Sequence, residues 1–327
     1  MDGSFLEREA LMLPARPAIR DNRCQTMAWR KALIGGLLVI VAAAVGTAGW
    51  KTRDEALRLV SNPMETRRLP DRTPIDFGLV YDDVAIVTPD GLRLVAWYVP
   101  TTNGAVVIAQ HGYKSSRGEM LNEAAMLHAH GYGVLIPAMR AHDMSDGTTI
   151  SFGLHEVDDL DRWLRFAQQL PDVAPDRIGV LGNSLGGALA IELAARTPDV
   201  RAVAANAAFS SLSDTLETSV RFFTGMPPFP FAPMIAFWAE RATGMSVGDL
   251  DASRAIGRIS PRPVLLMQGG ADDVISTSSG QRLYDAAGEP RTLWFDPQVS
   301  HARFDTARPA EYERRVIELF DNALLHP

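Results

Sequence analysis

The chain has 327 residues, 46% of them apolar and 22% charged, with a formal charge of −7, which is enough for one large core with segments to spare. There is no block of lysine and arginine interleaved with aromatics, and this argues against a nucleic-acid partner. Cys24 is the single cysteine, so an intramolecular disulfide and a cysteine metal site are both ruled out; no other metal spacing occurs and no cofactor is implied.

In chain order, the first distinctive stretch is "ALIGGLLVIVAAAVGTAG" (32–49), which carries no charge. Trp29, Arg30 and Lys31 precede it, and Trp50, Lys51 and Arg53 follow. An uncharged run of this length ringed by tryptophan and cations spans a bilayer as a helix, and the lack of a polar face argues against a buried soluble helix. A signal peptide starting at Met27 is the alternative, although no clear A-x-A site precedes a polar mature start. The reading is therefore a tail at 1–28, a transmembrane anchor (or signal peptide) at 29–50, and a Pro-punctuated linker or short helix at 51–75. Arg20, Arg23, Arg30 and Lys31 before the span, against Lys51, Arg53 and Arg58 after it, lean toward a main domain outside the cytoplasm.

The remaining residues, 76–327, read as one domain. "VAIVTPDGLRLVAWYVP" alternates apolar residues on either side of Asp90-Gly91, a hairpin signal. Six short apolar runs follow at 105–112, 133–140, 177–183, 200–208, 262–270 and 291–297, as expected of parallel strands buried on both faces. Helical spacing fills the gaps at 117–131, 156–170, 185–196, 279–288 and 310–325. This alternation predicts an α/β sheet with helices on both faces. Its rhythm breaks at 212–260, read as a short cap insertion. There Phe222, Phe223, Phe229, Phe231, Phe237 and Trp238 either roof an apolar acyl pocket, pack a lid core, or rest on the bilayer. Glu156, Asp158, Asp159 and Asp161 read as the acidic first turn of a helix, suited to its dipole.

Chemistry collects beyond the C-terminal ends of parallel strands. There the chain places His111-Gly112-Tyr113, then Ser184 inside "GNSLGG", then Asp272 and Asp273 inside "QGGADDVIS", and His301 inside "SHARF". Alone, a G-x-S-x-G match is weak, and Ser184 could be a simple helix cap. The order serine, aspartate, histidine is what a serine on a strand-to-helix turn requires.

On these four motifs the segment 76–327 resembles the α/β-hydrolase superfamily, and is similar within it to bacterial serine hydrolases with a hairpin start and a short cap: carboxylesterases, thioesterases and aminopeptidase-like members. The resemblance implies Ser184 as nucleophile, His301 as general base, and an acid three residues after Gly269, hence Asp272, with Asp273 and Asp214 as lesser alternatives. The backbone N–H groups of Tyr113 and Leu185 would form the oxyanion hole. Gly112 would let its loop bend close, while Gly182 and Gly186 would relieve a crowded turn. His111 reads as a brace of the oxyanion loop; His142 either lines the pocket or is solvated. Two departures stand out: the family's R-G-x-G-x-S loop is "RAHDMSDG" here, and a proline common after the acid loop is Ser276. The expected function is cleavage of a small-molecule acyl ester or thioester through an acyl-enzyme. A small-peptide peptidase and a catalytically silent scaffold are the alternatives, and the oligomeric state is left open.

Overall fold

The computed structural model describes residues 22–326; the expected tail lies, up to residue 21, outside the described residues. The chain divides after Trp50 into two units. A single helix, α1 (Asn22–Val60), begins in the first. From Trp29 on it is long and apolar enough to cross a membrane, and is alone in this among the described residues. Leu33, Ile34, Leu37, Leu38 and Ile40 are each 59–67% exposed. Thr47 turns its hydroxyl back onto the Ala43 carbonyl (2.8 Å), so the one polar side chain late in the run has a partner within the helix.

The second unit is built on eight strands: β1 (Asp82–Val87), β2 (Arg93–Val99), β3 (Val106–Gln110), β4 (Gly133–Pro137), β5 (Ile178–Asn183), β6 (Val200–Asn206), β7 (Val264–Gly269) and β8 (Arg291–Asp296). Their order in the sheet is β1-β2-β4-β3-β5-β6-β7-β8. The opening hairpin sets Asp82 opposite Tyr98 and Val87 opposite Arg93, and β2 runs antiparallel to β4. All remaining pairs are parallel.

Side chains of a strand alternate between faces, which sorts the apolar runs into two cores. Val106 and Ile108 join Leu94, Val180, Leu189 and Trp163 on one face, beneath α3 (Glu156–Ala167) and α4 (Leu185–Arg196). Val107 and Ala109 join Trp97, Leu127 and Phe320 on the other, beneath α2 (Leu121–Ala129) and, near the C-terminus, α10 (Pro309–Phe320). Burial on both faces holds for β3 to β7 but not for β8, where Thr292 and Phe295 are exposed. Its position at the end of the sheet leaves β8 with β7 as its one neighbouring strand.

Between β6 and β7 come α5 (Leu212–Thr224), α6 (Pro228–Thr243) and the short turn α7 (Ala252–Ala255). The Pro-rich segment is thus helical, with its irregularity confined to Phe229 and the internal Pro233. After β7 come α8 (Ser279–Ala286) and, beyond β8, the single turn α9 (Phe304–Ala307).

The loop that departs from the family pattern is held by buried ion pairs. Ala141 and Asp143 stand where that pattern has glycine, and both keep positive φ, +56° and +49°. Buried Asp143 accepts from Arg117 Nε (2.8 Å), Nη2 (3.2 Å) and backbone N–H (3.2 Å), while the Arg117 guanidinium lies 4.2 Å over the Trp97 ring. Arg140 grips Asp159 through two bonds of 2.6 and 2.9 Å. Glu156 accepts from the Ser151 hydroxyl and from the backbone of Ser151 and Gly153, each at 2.7 Å. Two of the four acids read as dipole partners therefore serve as buried tethers, a role that spacing along one helix does not reveal.

The segment from Lys51 to Arg67 is bound to the domain throughout. Ala56 and Val60 are buried against Val220, Met226, Ala232, Ile235 and Ala239 of the cap. The last carbonyls of α1 are taken up by side chains: Arg58 O by Lys114 Nζ (2.6 Å) and Leu59 O by the Tyr113 hydroxyl (2.5 Å). Asn62 then bonds to Thr148 O and Ala141 O, and Arg67 to Asn62 O, Asp143 O, Ser145 O and Gly147 O. A chain starting at Pro63 loses buried Ala56 and Val60 and half-buried Leu59 from this packing, about 4 kcal/mol. Its thermal midpoint should fall at least about 6 °C below that of a chain starting at Lys51; equal midpoints would show that these turns add no stability.

Candidate active site

Strand β5 ends at Asn183, helix α4 begins at Leu185, and Ser184 alone makes the turn, at φ +55° and ψ −117°. A non-glycine residue held there is strained and needs a surrounding structure that allows nothing else. Two glycines supply the room. A Cβ on Gly182 would stand 2.3 Å from Gly186 O, and one on Gly186 would stand 2.3 Å from Gln110 O. The Ser184 N–H donates to Asn206 O (2.8 Å), fixing the turn from β6.

The loop after β8 brings His301 to this turn, with Nε2 2.9 Å from Ser184 Oγ and Nδ1 2.7 Å from Asp272 Oδ2. Asp272 Oδ1 accepts from the backbone N–H groups of Val274 and Ile275, both at 3.0 Å. Since Asp272 Oδ2 takes the proton on Nδ1, Nε2 is left as an acceptor facing the serine hydroxyl. The Asp272 side chain has no exposed surface, whereas Asp273 is exposed. Asp214 is engaged elsewhere, by Arg282 (2.6 Å) and Ser210 (2.9 Å). The structure therefore gathers Ser184, Asp272 and His301 into one hydrogen-bonded line and leaves both alternative acids outside it.

The backbone N–H groups of Tyr113 and Leu185 meet no protein acceptor among the described residues. Their neighbours are tied down. Gly112 N–H donates to Glu119 Oε2 (3.1 Å), and Lys114 N–H donates to His142 Nε2 (3.0 Å). His142 gives its Nδ1–H to Arg140 O (2.8 Å) and His111 gives its own to Gly112 O (2.8 Å), while His111 Nε2 accepts from Met139 N–H (3.2 Å). Burial pushes His142 down to about 3, with His111 adding to the effect, and burial also lowers His111. Both imidazoles stay neutral, so each keeps the lone pair that the loop needs. His142 is thus neither a pocket residue nor a solvated one but a second brace of the Tyr113 loop.

Ser184 opens onto an almost wholly apolar pocket of about 90 Å³, with Leu59, Val60, Phe152, Leu216, Phe223 and Ile235 in its wall. Of the three readings of the cap aromatics, the roof is not what forms it, while Phe231 and Trp238 pack the lid core. Of the six cap aromatics only Phe223 reaches the pocket, while Phe222, Phe229 and Phe237 are 48%, 82% and 51% exposed. Helix α5 turns its Leu212–Leu216–Val220 stripe inward, spaced one turn apart, which points Phe222 outward. The Tyr113 ring stacks on Phe152 at 5.3 Å and meets Phe223 edge-on at 5.2 Å. Leu59 and Val60 escaped the reading of the sequence, because nothing in a charged segment after an apolar run marks two residues as pocket wall. No cluster of three or more potential metal ligands occurs among the described residues.

Known proteins place this architecture. The model of the X-Pro dipeptidyl-peptidase (S15) family matches residues 90–224. The chain is 31% identical over 225 residues to the uncharacterized protein Rv2307c of Mycobacterium tuberculosis, covering 67% of this chain and 72% of that one. It is 26% identical over 225 residues to the α/β hydrolase domain-containing protein WAV2 of Arabidopsis thaliana, covering 66% and 69%. An esterase of Pyrococcus furiosus superposes with a TM-score of 0.68 at 27% identity, over 81% of this chain and 98% of that one. Relatives in sequence and in fold lead to the same conclusion: this chain is a hydrolase of the α/β-hydrolase superfamily.

Proposed function

We propose that the protein is a serine hydrolase that cleaves carboxylic esters or thioesters of apolar acyl groups through an acyl-enzyme. The observation that carries this reading is the line of hydrogen bonds from Ser184 through His301 to Asp272, at 2.9 and 2.7 Å. Ser184 Oγ attacks the carbonyl carbon while His301 Nε2 takes its proton, and Asp272 stabilises the imidazolium. The carbonyl oxygen gains a negative charge, which the N–H groups of Tyr113 and Leu185 receive; one such donor is worth about 3–4 kcal/mol of barrier. His301 then returns the proton to the leaving oxygen or sulfur, and water repeats the sequence to release the acid. The apolar pocket at Ser184 supports an apolar acyl group, and the likeness to an esterase supports an ester. The match to a peptidase family over 90–224 favours a second reading, cleavage of small peptides; a panel of esters, thioesters and aminoacyl amides separates the two.

The apolar side chains exposed along α1 support an uncleaved membrane anchor, and the flanking cations favour a catalytic domain outside the cytoplasm. Protease added to spheroplasts should then digest the domain; protection until the membrane is broken would reverse the orientation.

Ser184→Ala should abolish labelling by a fluorophosphonate probe and lower turnover by about four orders of magnitude or more. Asp272→Asn should cost about 10⁴-fold in kcat, by upsetting the tautomer of His301, against a few-fold at most for Asp273→Asn. The reverse ranking would discard Asp272 as the acid. Leu216→Trp fills the acyl pocket, so it should shift preference from butyryl esters toward acetyl. An unchanged chain-length profile would place the acyl group somewhere else.

A further inference from the structure

The reacting pair stands between two cavities of opposite character. The apolar pocket is lined by Ser184 but not His301. A polar cavity of about 530 Å³ is lined by His301 but not Ser184, and Tyr113 lines both. Since His301 hands its proton to the departing atom, the leaving group belongs on the histidine side, in the polar cavity.

The walls of that cavity define what it accepts. Arg68, Arg72, Lys114 and Arg303 contribute four cations, and among the described residues none of them is in an ion pair. Arg72 lies over the Phe77 ring at 4.8 Å, and Lys114 Nζ is directed to a carbonyl, so neither charge is neutralised. The wall also carries Asp71, Glu119, Glu123 and Asp305. Glu119 accepts from Gly112 N–H and Asp305 from the Asn122 amide (3.0 Å); these donors are neutral, so both carboxylates, like Asp71, keep their charge. Glu123 is 1% exposed and its Oε2 has no hydrogen-bond partner. Burial pushes its pKa up to about 8, so near neutral pH it holds a proton and has an O–H to donate rather than a charge to repel an anion. With Glu123 protonated the wall sets four cations against three carboxylates, so a net positive charge remains, and an anionic group with several oxygens fits its unpaired guanidinium groups best.

We propose that the leaving group of the natural substrate carries a phosphate, held by Arg68, Arg72 and Arg303, while its acyl chain fills the apolar pocket. The substrate is then an amphiphile cut at the junction of its two halves: water adds across the acyl bond, the acid stays in the apolar pocket, and the phosphate-bearing alcohol or thiol leaves with the proton from His301. This rests on the hydrolase reading above. Two sources share the chemistry, a lysophospholipid ester and an acyl-coenzyme A thioester.

The test uses the full chain in neutral detergent, with four substrates of one short acyl length: p-nitrophenyl butyrate, 1-butyrylglycerol, 1-butyrylglycerol 3-phosphate and butyryl-coenzyme A. At least one phosphate-bearing substrate should exceed 1-butyrylglycerol at least tenfold in kcat/KM, and which one does identifies the source. In the double variant Arg68→Gln/Arg303→Gln that ratio should fall at least tenfold, chiefly through KM. Arg258→Gln, an exposed arginine outside the cavity, should leave the ratio in place. Glycerol 3-phosphate should compete with p-nitrophenyl butyrate, and less well in the double variant. Equal use of the neutral and phosphorylated esters, or a ratio indifferent to the double variant, overturns the proposal. Failure to cleave any of the four, p-nitrophenyl butyrate included, overturns the ester and thioester reading and this one with it.

Discussion

The contact between Gly182 and Gly186 governs the rest of the site. Because neither carries a side chain, α4 starts directly against the end of β5, and the chain reverses within the single residue Ser184. That turn lifts the hydroxyl clear of the sheet and presents the first helical N–H of α4 beside it. Gly186 also lies against the carbonyls of Gln110 and His111, so the same contact sets how near the Tyr113 loop can come. Widening it by one methyl group would move the nucleophile and its loop apart together.

Around that fixed point the molecule separates tasks by polarity. Asp272 and the two neutral histidines are buried and fully engaged, and they hold other groups in position. Ser184 and the two free N–H groups are the parts left available. The apolar wall is assembled from distant places, α1, the loop at Phe152 and both cap helices, so its shape depends on tertiary packing.

Much of this was legible in the residues themselves. The apolar runs of β3 to β7 announced buried strands, and Ser184, Asp272 and His301 each follow a predicted strand in an order with chemical meaning. The choice between Asp272 and Asp273 was open to residue types, and the orientation of one carboxylate settles the contact. What could not be read lies in pairings across long separations. Arg117 with Asp143, Arg140 with Asp159, and Leu59 O with the Tyr113 hydroxyl leave no periodic trace. The cap misled for a related reason: aromatic content suggested a roof, but helical phase directed aliphatic residues inward and left Phe222, Phe229 and Phe237 outside.

The loop at 140–147 bears on how this chain can drift in sequence. Ala141 and Asp143 both occupy left-handed backbone, a conformation that costs a residue with a side chain about 1–2 kcal/mol. At 141 glycine would remove that cost and give up a single methyl group. At 143 glycine would take away the nearer carboxylate of Arg117, leaving it Asp83 at 3.5 Å, a loss of about 1.5–3 kcal/mol. Two positions separated by one residue and sharing a backbone conformation therefore respond to glycine in opposite ways, one relaxing and the other losing a partner.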